Sequence, residues 1–192
     1  MYTFYQSPGS SSMAVHIALH EVHAKFRTKR IDFGKREQDP PEFQGLNPEA
    51  KVPTLVMDGR VLTEVAGILY YLARAYPEAK LLPFGNIEAE AQVISWMSFV
   101  ASSIHGARRQ GDDHARMMYG LADRRLGDRR WAVGDYSVAD IHLFRLYWRF
   151  GRFLGGDEGA YPRLARHFEQ MMQRPAVRKT LAVEEAEGYA LP

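Results

Sequence analysis

The stretch SPGSSSMAVHIAL, Ser7 to Leu19, follows a short apolar segment at Tyr2 to Tyr5 and opens a run of helical periodicity. Its apolar residues recur at i, i+3, i+4 and i+7, at Val15, Ala18, Leu19 and Val22. A second apolar segment, Phe26 to Phe33, follows, so the pattern predicts a βαβ unit. The three serines stand at its first strand-to-helix corner. There they either cap the helix or present an oxygen to a substrate.

Composition narrows the class of protein. The 192 residues include 25 basic and 23 acidic side chains, and this near balance predicts no nucleic-acid partner. There is no cysteine, which excludes disulfides, thiolate metal sites and a cysteine nucleophile. No window approaches the roughly 20 apolar residues of a spanning helix, and no signal segment opens the chain. We therefore expect a cytoplasmic protein with no membrane partner and no metal site.

The first half of the chain continues as an α/β domain. Val52 to Met57 predicts a strand, Asp58-Gly59 a hairpin turn, and Arg60 to Leu62 the returning strand. A helical face follows and ends near Tyr76-Pro77. The predicted order is βαβαββα, in a domain of residues 1–78.

The second half, residues 86–192, shows no convincing strand periodicity and predicts an all-helical domain. One apolar face runs through Val93, Met97, Val100 and Ile104. The segment Ile141 to Phe150 is apolar nearly all round, which is typical of a buried helix. Two further helices fit the proline-bounded segments Pro162 to Gln173 and Pro175 to Glu187.

A polar stripe accompanies that apolar face if residues 93–109 form one continuous helix. Its members follow i, i+3, i+7, i+10 and i+14, at Ser95, Ser98, Ser102, His105 and Arg109. Small hydroxyls with a His and an Arg indicate the wall of a cleft, because a solvated face more often carries Lys and Glu. A lone helical His is usually structural, so the pattern leaves both interpretations open.

Two further stretches have both a folding and a binding interpretation, and a third has a folding interpretation alone. Pro53 stands near the start of a predicted strand. It is either a plain edge-strand proline or it follows a cis peptide bond, which would let Val52 pair with a peptide-like ligand. Glu64 precedes a helix, where it caps the helix or receives an ammonium group. Ser137 and Asp140 match a reciprocal capping box before the apolar helix, which is a folding role.

These segments together resemble the glutathione S-transferase family, most closely its bacterial beta class. The segments, in order, are SPGSSSMAVHIAL, NPEAKVPTL, LTEVAGILYYLA, YSVADIHLF and YPRLARHFEQMMQRPAV. The resemblance implies a thioredoxin-like N-terminal domain followed by an all-helical C-terminal domain, in a homodimer. It also implies glutathione as cosubstrate, bound between the domains, and a detoxifying conjugation to small hydrophobic electrophiles.

The resemblance also implies roles for individual residues. A cis bond would precede Pro53, Val52 would pair with the cysteinyl unit of glutathione, and Glu64 would hold its γ-glutamyl end. His105 matches a histidine that lines the beta-class site. The other predicted glutathione contacts are Tyr5, Phe33, Lys51, Ser98 and Ser102.

Two positions depart from the beta-class pattern. Ser11 stands where that class has a cysteine, so a mixed disulfide with glutathione is impossible. Ser11 is the first candidate for activating the glutathione thiol, Ser10 the second and Tyr5 the third, while His105 is the further predicted catalytic residue. Val65 replaces a serine that binds the γ-glutamyl carboxylate in that class, which removes one hydroxyl donor.

Two alternatives to conjugation follow from the same residues. One is a non-catalytic protein of this fold that binds apolar ligands or a protein partner, and the missing serine at Val65 favours it. The other is a different glutathione-dependent reaction, such as isomerisation, peroxide reduction or reductive dehalogenation.

Overall fold

The computed structural model describes residues 1–33, 41–153 and 158–189. The strands are β1 (Tyr2–Gln6), β2 (Phe26–Arg30), β3 (Thr54–Met57) and β4 (Arg60–Thr63). The α-helices are α1 (Ser12–Glu21), α2 (Pro41–Leu46), α3 (Val65–Ala75), α4 (Ile87–Phe99), α5 (Asp112–Leu126), α6 (Val138–Phe153), α7 (Pro162–Met172) and α8 (Pro175–Glu187). The chain forms two compact units, one of residues 1–72 with 175–192 and one of residues 73–174.

The first unit is built on a four-stranded mixed sheet with the order β2-β1-β3-β4. β1 is parallel to β2 and antiparallel to β3, which pairs antiparallel with β4. Asp58 and Gly59 both have positive φ, as the tight hairpin turn between β3 and β4 requires. The predicted order βαβαββα and the thioredoxin-like fold of this unit are confirmed.

Helix α1 lies within the core of this unit. Its side chains from Ser12 to Leu19 are all buried, so it is covered on every face. Helix α8 packs directly against α1. The division into residues 1–78 and 86–192 remains a prediction, although the contacts group α8 with the first unit rather than with the other late helices.

Two strand boundaries differ from the sequence-based expectation. β2 ends at Arg30 rather than Phe33, because β1, with which it pairs, ends at Gln6. β3 begins at Thr54 rather than Val52, because Pro53 has no N–H group to donate to a neighbouring strand.

The regular elements of the second unit, over its described residues, are all helices, as predicted. Helix α6 is buried along almost its whole described length, as its apolar sequence indicates. The capping box before it is also confirmed. The Ser137 N–H donates to the Asp140 carboxylate at 2.9 Å, and the Ala139 N–H donates to the Ser137 hydroxyl at 3.3 Å.

The expectation of one continuous helix over residues 93–109 is wrong. Helix α4 ends at Phe99, and Val100–Ile104 form a π-helical turn in which the His105 N–H donates to the Val100 carbonyl at 3.0 Å. A 3₁₀ turn, Ala107–Gln110, follows. Each change in residues per turn rotates the later side chains away from a regular spacing, so the five polar residues do not form one straight stripe.

Over residues 1–33, 41–153 and 158–189, no helix combines the length and the apolar character needed to span a bilayer.

Candidate functional site

The serine corner is held by hydrogen bonds among its own residues. Ser12 is fully buried, its hydroxyl donates to the Ser7 carbonyl at 3.0 Å, and it accepts from the Ser7 N–H at 3.1 Å. Because that hydroxyl has one proton, the 2.7 Å contact between the Ser10 and Ser12 hydroxyls must be a donation from Ser10. Ser10 also accepts from the Ser12 N–H at 3.2 Å. Ser10 and Ser12 therefore maintain the corner and start the helix.

Ser11 makes a different contact. It is the residue before α1, yet its side chain caps no helix N–H. Its hydroxyl instead donates to the carbonyl oxygen of Val52 at 3.1 Å. The Val52–Pro53 peptide bond is cis, as the resemblance predicts. The structure thus joins the serine corner to the loop that precedes β3.

Asn47 organises that loop, and sequence reasoning did not identify it. Its side chain is buried and donates to the Lys51 carbonyl at 2.8 Å and to the Thr54 hydroxyl at 3.0 Å. It also accepts from the Glu49 N–H at 3.0 Å. The Asn-Pro pair in NPEAKVPTL was the available signal, because Asn before a turn commonly bonds its own backbone two residues on.

An apolar cluster lies beside the Val52 loop. It consists of the buried residues Tyr5, Ile31, Phe43 and Val52, with Phe33 packed against them. The Tyr5 ring lies 5.2 Å from the Phe43 ring, and the Lys29 ammonium group lies 5.2 Å from the Tyr5 ring centre. Three predicted site residues, Tyr5, Phe33 and Val52, are therefore brought together in one unit.

The remaining predicted residues of this unit lie close by along the chain. Lys51 is exposed and its ammonium group lies 2.9 Å from Glu49. Glu64 is exposed at the junction of β4 and α3, with a φ of 66°, a left-handed conformation that is uncommon for a non-glycine residue. Val65, the first residue of α3, is 7% exposed. The backbone thus turns sharply where the resemblance predicts a γ-glutamyl contact.

A buried contact between a histidine and a glutamate also supports the serine corner, and it too was missed. Nδ1 of His16 lies 2.9 Å from one carboxylate oxygen of Glu184, and both side chains are buried. The other oxygen of Glu184 accepts from the Gly9 N–H at 2.7 Å. These two contacts join α8 to α1 and to the loop at Gly9. The available signal was the i, i+3, i+7 spacing of Val177, Thr180 and Glu184, which are all buried on α8.

The second unit contains the other predicted residues. Ser98 is exposed near the end of α4, and the Ser102 hydroxyl lies 3.3 Å from that of Ser103 within the π turn. Ser95, which began the predicted stripe, accepts a hydrogen bond from Arg125 at 2.7 Å. His105 follows the π turn and keeps more than a third of its surface exposed.

The charges around His105 are mainly positive. Desolvation, followed by the guanidinium groups of Arg145, Arg149 and Arg109, lowers the pKa of His105 to about 4. Burial, His105 and Arg145 likewise lower the pKa of His142 to about 3. Both imidazoles are therefore neutral near pH 7, and each can donate from one nitrogen and accept at the other.

Comparison with protein families and known proteins agrees with this architecture. The model of the glutathione S-transferase N-terminal domain matches residues 1–74, and that of the glutathione S-transferase C-terminal domain matches residues 108–175. The chain is 30% identical to a probable maleylacetoacetate isomerase of Caenorhabditis elegans, over 92% of this chain and 89% of that protein.

Two solved structures have closely similar backbones. A bacterial beta-class glutathione S-transferase of Sphingomonas chungbukensis is 35% identical, with a TM-score of 0.83 over 95% of this chain and 98% of that one. A sphingomonad glutathione S-transferase complexed with glutathione is 32% identical, with a TM-score of 0.85 over the same shares of the two chains. The chain therefore belongs to the glutathione S-transferase family.

Proposed function

We propose that this protein is a glutathione transferase that joins the thiolate of glutathione to small electrophiles with an apolar body. The observation that carries the proposal is the 3.1 Å hydrogen bond from Ser11 to the Val52 carbonyl, beside the cis Val52–Pro53 bond. That contact brings a candidate thiol activator to the backbone group predicted to receive the cysteinyl unit.

Ligand binding would release the Ser11 hydroxyl. A peptide-like ligand that pairs with Val52 supplies its own N–H to the carbonyl, as an added β-strand does. Ser11 then no longer needs that acceptor, and its proton can turn towards the cysteinyl sulfur. Ser10 has no such freedom, because its proton is donated to buried Ser12 and its oxygen accepts from the Ser12 N–H. This favours Ser11 over Ser10 as the activating hydroxyl.

The corner also suits a negative charge. A free thiol has a pKa of about 8.5, so most of it is protonated at neutral pH. The N-terminus of α1 carries the positive end of the helix dipole, and a hydroxyl donor adds a hydrogen bond to the charged sulfur. Each unit by which these lower the thiol pKa corresponds to about 1.4 kcal/mol of thiolate stabilisation. The thiolate sulfur then attacks the electrophilic carbon, and orientation supplies much of the rate.

The other end of glutathione would bind at the start of α3. Glu64 is exposed there and can receive the γ-glutamyl ammonium group. The first amides of a helix lack intrahelical acceptors, so those of Val65 and Ala66 can donate to the carboxylate in place of the missing serine hydroxyl. Tyr5, Phe33 and Lys51 are the proposed remaining contacts of this unit.

In the second unit we assign Ser98, Ser102 and His105 to ligand binding, and His105 also to the catalytic step. Neutral His105 can act as a hydrogen-bond donor or acceptor to the electrophile or to glutathione. We further propose a cytoplasmic homodimer that serves detoxification.

Glutathione-dependent isomerisation is the second candidate function. The 30% identity to a probable maleylacetoacetate isomerase over 92% of the chain favours it. The absence of cysteine is compatible with it too, because isomerisation needs only the thiol of glutathione.

Calorimetric titration with reduced glutathione at neutral pH tests the proposal. We expect saturable binding at sub-millimolar affinity. In a separate assay with 1-chloro-2,4-dinitrobenzene, we expect thiol and electrophile to be consumed in equal amounts. Binding without net thiol consumption would favour isomerisation. The absence of binding heat at several temperatures would instead favour a non-catalytic protein of this fold.

A further inference from the structure

The loop between α2 and β3 contains three hydrogen bonds around one backbone carbonyl group. The side-chain amide of Asn47 donates to the Lys51 carbonyl at 2.8 Å and to the Thr54 hydroxyl at 3.0 Å. The Thr54 hydroxyl donates its own proton to the same Lys51 carbonyl at 3.0 Å. These contacts form a closed triangle, here called the Asn47–Thr54 clamp. The Lys51 carbonyl therefore accepts from two donors at once.

Both side chains of the clamp are anchored in the first unit. Asn47 is 3% exposed, and its N–H donates to the carbonyl of Phe43, a residue of α2, at 2.8 Å. Thr54 is fully buried and is the first residue of β3, which pairs with β1 on one side and with β4 on the other. The clamp thus ties the Lys51 carbonyl both to α2 and to the middle of the sheet.

The clamp also sets the direction of the next N–H group along the chain. The peptide bond between Lys51 and Val52 is trans. In a trans peptide the C=O and N–H groups lie in one plane and point in opposite directions. Because the Lys51 carbonyl is held from two sides, the Val52 N–H is held as well, and it points away from the clamp.

That N–H group lacks an acceptor within the chain. Among residues 1–33, 41–153 and 158–189, no group accepts a hydrogen bond from the Val52 N–H, whereas the Val52 carbonyl accepts from Ser11 at 3.1 Å. Val52 is only 8% exposed. Backbone donors with so little exposure are nearly always paired with protein, water or a ligand. The oriented N–H therefore suits an acceptor that a ligand supplies.

We propose that Asn47 and Thr54 are positioning residues for the cysteinyl unit of glutathione. By holding the Lys51 carbonyl, they direct the Val52 N–H at the cysteinyl carbonyl, and they act through the backbone rather than on the ligand itself. A fixed N–H also fixes where the cysteinyl backbone lies, and with it the distance from the thiol to Ser11. This inference rests on the proposed function, because it requires that glutathione binds at Val52.

The binding test uses two ligands that differ by one neutral group. γ-Glutamylcysteinamide keeps the cysteinyl carbonyl, and γ-glutamylcysteamine lacks it. Both keep the γ-glutamyl unit, the amide N–H that would pair with the Val52 carbonyl, and the thiol. Each is titrated calorimetrically into the full-length protein. We expect the ligand with the carbonyl to bind about 5-fold more tightly or better, as one added hydrogen bond predicts.

Variants at Thr54 and Asn47 show whether the clamp produces that preference. Thr54→Val removes the hydroxyl with little change in volume, and Asn47→Ala removes the amide. Each should bring the affinity ratio towards one by weakening γ-glutamylcysteinamide, while the Kd of γ-glutamylcysteamine changes less than about 2-fold. Thr54→Ser keeps the hydroxyl and should keep the ratio. Thr28→Val, at an exposed position of β2, is the matched control. A purely structural role would leave the ratio unchanged in Thr54→Val and Asn47→Ala, and that result would overturn the inference.

A measurement without ligand separates this inference from the proposed function. NMR relaxation gives the order parameter of the Val52 N–H in the free protein. We expect about 0.85 in the wild type and in Thr54→Ser, falling towards about 0.6 in Thr54→Val and Asn47→Ala. An unchanged order parameter in both of these variants would overturn the inference. If the wild type bound neither ligand and the order parameter still fell, the glutathione function would be contradicted, while the hold of the clamp on Val52 would be supported.

Discussion

The hydroxyl of Ser11 and the carbonyl oxygen of Val52 are joined by a 3.1 Å hydrogen bond between two segments 41 residues apart in sequence. The same carbonyl is the backbone acceptor that we propose for the cysteinyl unit of glutathione. In that proposal, ligand binding frees the hydroxyl for a new acceptor.

Replacing Ser11 by Ala should remove the hydrogen bond that we propose activates the thiol. We expect the pKa of the bound glutathione thiol to rise by about one unit, and kcat/KM at neutral pH to fall about 10-fold or more. Ultraviolet absorbance of the thiolate, titrated against pH, measures the first effect.

Ser10→Ala is the matched control for that experiment. It removes a hydroxyl bonded to Ser12, so it should lower the free energy of unfolding by about 1 kcal/mol and leave the thiol pKa unchanged. The reverse pattern, with the thiol pKa raised in Ser10→Ala alone, would assign activation to Ser10.

Replacing Val65 by Ser should strengthen glutathione binding. The new hydroxyl restores a donor to the γ-glutamyl carboxylate, and we expect Kd to fall about 3- to 10-fold. The loss of a buried isopropyl group should also lower the free energy of unfolding by about 1 to 2 kcal/mol. Calorimetry measures the affinity and urea unfolding the stability. Val61→Ser, at a more exposed position of β4, should leave Kd unchanged, and an unaltered Kd in Val65→Ser would contradict this contact.

Replacing His16 by Leu should destabilise the first unit. It removes the hydrogen-bond partner of one oxygen of buried Glu184, at an expected cost of about 1 to 3 kcal/mol in unfolding free energy. His16→Asn keeps a donor near the position of Nδ1 and should cost less. Urea unfolding monitored by circular dichroism measures both, with Glu185→Ala, an exposed change on the same helix, as the control. Equal losses in the Leu and Asn variants would show that packing, not the hydrogen bond to Glu184, matters at His16.

The pH dependence of stability should reflect the buried histidines. The pKa of His142 is about 3 in the folded protein and about 6.5 when unfolded, so the unfolded chain binds more protons between these values. Unfolding free energy should therefore fall as pH decreases from about 6.5 towards 3.

His142→Leu tests that assignment. It should make the fall of unfolding free energy with decreasing pH, here called the acid limb, less steep. It should not abolish the limb, because burial, His16, Lys179 and His23 also lower the pKa of His20 to about 4. Urea unfolding from pH 4 to 7 provides the measurement. An equally steep limb in the variant would indicate that His142 does not titrate as described.

Local sequence patterns predicted the fold well because each element needs a buried face. The apolar periodicity of α1, the Asp58-Gly59 turn and the capping box at Ser137 and Asp140 are short-range features, and all of them appear in the structure. The beta-class resemblance predicted the cis bond before Pro53. The roles of the predicted site residues still await experiment.

The errors arose where tertiary packing overrides local periodicity. The π turn at Val100–Ile104 adds a residue to one helical turn, which no spacing rule anticipates. The sequence did not show that α8 packs against α1, because periodicity identifies a buried face but not the surface that covers it. Buried Asn47 and Glu184 were missed although each had a sequence signal, the Asn-Pro pair for Asn47 and the i, i+3, i+7 spacing of α8 for Glu184.

The sequence by itself determined the family, the order of the elements and the absence of any cysteine chemistry. It also placed three hydroxyls at the start of α1, but their spacing could not distinguish their roles. Only the tertiary structure directed Ser10 and Ser12 inwards to the corner and Ser11 to Val52. The reason is physical: a hydroxyl takes its role from the partner within hydrogen-bond distance, and that partner is 41 residues away in sequence for Ser11 and two for Ser10.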